Sequence, residues 1–166
     1  MREPEMIKSQ TKREFLYFNF EEDFVEENVR CIPMLVRFKM DVAGIKMHLK
    51  EWSKLPVWVR MELASKNTDT QQEVADYHKF LARSIKSYTG NDPTPLSIEI
   101  APAWLTLNDV PSMVQSEANK YDYSVSIDQW KNLNTLQRYA LIKLSRPGHE
   151  NKNFPVAIIE FNLINN

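Results

Sequence analysis

The stretch YSVSIDQWKNLNTLQRYALIKLSRPGHENKNF, residues 123–154, contains two helix starts in close succession. Ser126 is followed three residues later by Gln129, and Asn134 by Gln137. At such a start the first side chain accepts a hydrogen bond from a free amide of the first turn. The later side chain reaches back to the cap's own N–H. The spacing predicts short helices over about 127–133 and 135–145, joined by a tight corner. After the second helix comes a polar, partly basic segment holding Arg146, His149, Glu150, Asn151, Lys152 and Asn153.

The corner pattern also occurs earlier in the chain. Trp52 lies 130 − 52 = 78 residues before Trp130. At that offset Met47 falls on Val125, Leu49 on Ile127, Glu51 on Gln129, Leu55 on Leu133, Arg60 on Arg138 and Leu63 on Leu141. We read 45–64 and 123–142 as two copies of one helix-corner-helix unit, too few for a solenoid. The Arg near the start of the second helix is not favoured there by the helix dipole. It calls for a partner, either a carboxylate or the carbonyl end of the preceding helix. The segment RPGHENKNF has no counterpart in the first copy, where ASKNTDT stands in its place.

Elsewhere the signals are mainly helical. Pro33 opens a helix to Ala43 closed by Gly44, and Pro56 breaks the stretch from Gly44 to about Ala64 into two helices. Thr70 with Glu73 caps a helix whose apolar stripe is Val74, Tyr77, Leu81, Ile85 and Tyr88, widened by Phe80. Pro93, Pro95 and Pro102 make residues 91–102 irregular or extended, pinned by Trp104. Asp109 caps a helix from about Val110 to Tyr121. Pro155 starts a last helix, with a strand as rival because VAIIEFNLI is β-branched. Residues 1–13 read as a polar, frayed start, and 15–24 as a short extended entry segment. Glu21, Glu22, Asp23, Glu26 and Glu27 then read as a solvated acidic helix face. The fold expected is all-α: one compact domain over 14–166, of about seven to eight helices.

Composition excludes more than it identifies. The 166 residues are 43% hydrophobic and 26% charged, with a net charge of −1, so nothing pulls the chain globally toward nucleic acid or anionic lipid. No apolar run spans a bilayer and the N-terminus lacks a signal-peptide core, which makes the cytoplasm the expected location. A single cysteine, Cys31, leaves no disulfide framework or cysteine-rich metal site, and it reads as an inert core thiol. His48, His78 and His149 fall on three different elements with no metal-ligand spacing. His48 stands at the cap position of the first copy, and His78 on a solvated helix flank. There is no glycine-rich phosphate loop, and no catalytic constellation, metal site or cofactor is expected.

The blocks FNFEEDFVEENVRCIPMLVRFKMDVAGIKM and LQRYALIKLSRPGHENKNF resemble the conserved nitrate reductase-associated protein family. The resemblance runs from about residue 15 to the C-terminus. It implies a small soluble protein that supports the maturation or activity of assimilatory nitrate reductase, binding the enzyme or its apo form without catalysis. The candidate contact residues are Arg146, His149, Glu150, Asn151, Lys152 and Asn153, with Arg37. The rival reading is an anion- or small-molecule-binding protein or enzyme using the Arg146–Asn153 segment. A nucleic-acid module built on the Trp-x-x-Leu pattern ranks below both.

Overall fold

The computed structural model describes residues 17–26 and 28–164, apart from the side chains of Phe24, Glu26, His149 and Glu150. The expected frayed start at 1–13 lies outside them. The fold is mainly α. Its helices gather in two compact units, one reaching to Ile98 and the other starting at Glu99.

In the first unit a 3-10 turn, Asn19–Glu21, leads into α1 (Glu22–Glu26). Then come α2 (Met34–Ala43), β1 (Ile45–Lys46), α3 (Leu49–Lys54), α4 (Val57–Ser65), α5 (Gln71–Thr89) and β2 (Thr94–Pro95). The two-residue strands pair antiparallel, Ile45 opposite Pro95. Val36 and Met40 of α2, Trp52, Leu55, Val59 and Leu63 of the corner, and Tyr77, Leu81 and Ile85 of α5 form the core. The capping box of α5 is present, Glu73 N–H donating to Thr70 Oγ1 at 3.1 Å and Thr70 N–H to the Glu73 carboxylate at 2.9 Å. Tyr88, the last residue of the expected stripe, is 41% exposed.

The N-terminal part of this unit differs from its sequence reading. Residues 19–26 are helical, not extended, and Glu21 is buried instead of solvated. Pro33 at the N-cap of α2 has no side-chain acceptor to offer. The Glu21 carboxylate supplies one from 13 residues upstream, accepting Met34 N–H at 2.9 Å and Phe18 N–H at 3.0 Å. Cys31 is free and half-buried, more open than a core thiol.

In the second unit a 3-10 turn, Ala103–Leu105, precedes α6 (Ser112–Asn119), α7 (Ile127–Asn132), α8 (Thr135–Leu144), a 3-10 turn at His149–Asn153 and α9 (Phe154–Glu160). Pro111, not Asp109, occupies the N-cap of α6; its carbonyl accepts the amides of Val114 and Gln115 at 3.0 and 3.1 Å. Asp109 stands two residues too early to serve them. The last element is a helix because Phe154, Ala157 and Ile158 repeat at helical spacing and are fully buried. Its β-branched content does not override that burial.

Gly44 and Gly90 end α2 and α5 with left-handed φ of 77° and 76°. A Cβ on Gly44 would lie 3.1 Å from Ile98, whereas one on Gly90 would meet nothing. Gly90→Ala should therefore cost about 1 kcal/mol, the conformational penalty alone, and Gly44→Ala measurably more. Urea unfolding of the two variants checks this; equal losses would show that Ile98 yields without cost.

Candidate functional site

The corner between α7 and α8 carries the polar segment, so its construction comes first. Arg138 points back at the chain before it. Its Nε donates to Trp104 O at 2.7 Å, one Nη to Leu133 O, and the other to Thr135 Oγ1 at 3.4 Å. Trp130 Nε1 donates to Thr106 O at 3.0 Å. The first unit is wired alike. Arg60 donates to Trp52 O at 3.1 Å, Ser53 O at 2.9 Å and Asn28 O at 3.3 Å, and Trp52 Nε1 to Val29 O at 2.8 Å. Carbonyls, rather than a carboxylate, are the partners that satisfy both arginines. Burial lowers the pKa of both guanidinium groups.

α8 buries Arg138, Tyr139, Ala140, Leu141, Ile142 and Leu144, which leaves little of it to lie in a DNA groove. Where it ends, Ser145 Oγ donates to Leu141 O at 2.5 Å and Asn151 Nδ2 to Leu144 O at 3.0 Å. Asn151 is thus a structural clamp on the last carbonyls of α8. The turn is anchored again by Phe154, fully buried and stacked on Tyr121 with ring centroids 6.3 Å apart.

On this fixed turn Arg146, Pro147, Gly148 and Lys152 are exposed, while Asn151 and Asn153 are half-buried. His149 and Glu150 contribute their backbone to the 3-10 turn. The structure thus brings Arg146 and Asn151–Asn153 together on one short segment. Arg37 belongs to the other unit, where its Nε donates to Ile32 O at 3.3 Å. Among the described residues no group of three or more His, Cys, Asp or Glu is placed to hold a metal ion. None of their helices is long and apolar enough to cross a membrane. Arg146 and Lys152 thus stand exposed on a segment that Asn151 and Phe154 anchor.

The model of the conserved nitrate reductase-associated protein family matches residues 17–161. The chain belongs to that family. No curated protein and no solved structure matches it.

The chain also buries the charged side chains of Lys39 and Glu117. Lys39, on α2, is 7% exposed. Its Nζ donates to Ala64 O at 2.6 Å and Lys66 O at 2.5 Å, closing the carbonyl end of α4. Glu117 on α6 is 3% exposed; Lys120 Nζ meets Oε2 at 2.8 Å, while Oε1 has no hydrogen-bond partner. His78, expected to be merely solvated, has its Nδ1 2.8 Å from Ala43 O at the end of α2. His48 occupies the N-cap of α3, its N–H donating to the Glu51 carboxylate at 3.0 Å.

Burial pushes the Lys39 ammonium down to about 8, against the opposing charge of Asp69. Between that value and the ordinary 10.5 the unfolded chain holds a proton that the folded chain has released, so stability rises with pH across this window. Tyr77, its phenol pushed upward by burial, acts in the opposite sense above pH 10. The Lys39 contribution is therefore read between pH 8 and 10 as a rising melting temperature, and Lys39→Met should flatten it. Arg138→Ala should destabilise by about 3 kcal/mol, since it strands buried carbonyls. A change under about 1 kcal/mol in a urea titration would show that water replaces the guanidinium.

Proposed function

We propose that the chain is a non-catalytic accessory protein that supports the maturation or activity of assimilatory nitrate reductase through direct protein contact. The observation that carries this reading is membership of the nitrate reductase-associated family across residues 17–161. The reductase or its apo form is the partner, and the contact takes place in the cytoplasm.

The contact residues in this reading are Arg146, His149, Glu150, Asn151, Lys152 and Asn153. Arg146 and Lys152 present charge, and Asn151 fixes the turn through Leu144 O. Guanidinium and ammonium groups held on an ordered backbone give up less freedom on docking than those on a loose tail. Arg37 is a separate contact in the other unit. The matching hydrogen bonds of Trp52 with Arg60 and Trp130 with Arg138 support a second point: 45–64 and 123–142 descend from one duplicated unit.

The test is capture of purified nitrate reductase from the same host. Arg146→Glu with Lys152→Glu should weaken capture at least tenfold while leaving the melting temperature within a few degrees, because both residues are exposed. Undiminished capture by the folded double variant removes the turn from the interface.

A further inference from the structure

The second unit carries an apolar surface that neither the family name nor the Arg146–Asn153 turn accounts for. Ile100 is 102% exposed, Leu105 57%, Leu107 38% and Met113 42%, four large apolar side chains within 14 residues of chain (113 − 100 + 1 = 14). Single exposed apolar residues are ordinary, whereas several grouped on one strap mark a contact surface.

Around Leu105 the backbone of the strap is held by hydrogen bonds. Arg138 holds Trp104 O, Trp130 holds Thr106 O, and the Leu105 and Thr106 amides donate to Pro102 O and Ala103 O at 3.0 and 3.2 Å. Pro102 and Trp104 take the inward positions, the indole edge-on to Tyr139 at 5.0 Å. Thr106 is extended, and Leu105 and Leu107 on either side of it are both exposed. The backbone that bears Leu105 is thus held before any partner arrives.

Charge decides the partner. From Glu99 to Asn119 the chain has no Lys, Arg or His, and the exposed acids Glu99 and Asp109 bracket Ile100, Leu105 and Leu107. A second copy meeting this patch by twofold symmetry would set these acids against their own equivalents. We infer that the Ile100–Met113 strap docks an amphipathic segment of another protein, its apolar face bordered by Lys or Arg. The inference is independent of the reductase reading.

Two synthetic amphipathic peptides with the same leucine face, one flanked by lysines and the other by glutamates, test it against the full chain by fluorescence anisotropy. The lysine peptide should bind at least tenfold tighter, the gap narrowing as salt is raised to about 0.5 M. Leu105→Ser with Leu107→Ser should weaken it about tenfold, and Glu99→Lys with Asp109→Lys should reverse the preference. These side chains are exposed, so unchanged far-ultraviolet circular dichroism is expected in all variants. Binding of neither peptide, equal binding of both, or indifference to the substitutions overturns the inference. So does self-association in sedimentation that Leu105→Ser with Leu107→Ser abolishes, which would make a second copy the occupant.

Discussion

A guanidinium taken out of water must have its N–H groups met, and here backbone carbonyls meet them. Arg138 and Arg60 each tie the end of a short helix to the chain segment that runs before it. Helices of six residues are too short to persist alone, so such corners depend on tertiary contacts. The tryptophans complete the grip: each indole fills the corner and spends its N–H on the same upstream segment. With both donors in place, the polar turn after α8 and the strap before α6 have fixed frames from which to project.

Much of this was legible in residue spacing. The capping boxes at Thr70, Ser126 and Asn134 and the stop at Gly44 act locally, through groups three or four residues apart. What escaped is long-range. Glu21 reads as solvated because nothing near it in sequence reveals that Met34 N–H lacks an acceptor. Lys39 finds its partners 25 and 27 residues further along. Trp104 O likewise meets its donor, Arg138, 34 residues downstream.

The candidate site divides along the same line. Within Arg146–Asn153 the amide-rich composition drew attention, and part of it serves the backbone: Asn151 closes α8. Arg146 and Lys152 remain exposed, the residues on which the proposed contact rests. Composition alone does not separate the two roles, since both use hydrogen-bonding side chains in a loop.

Asn28 and Val29 stand at φ of 62° and 53°, two successive non-glycine residues in the left-handed region, the second β-branched. Each costs of order 1–2 kcal/mol, and the bonds from Arg60 and Trp52 to their carbonyls offset that. Trp52 and Arg60 therefore hold the segment before α2 in a backbone conformation that its own residues do not favour.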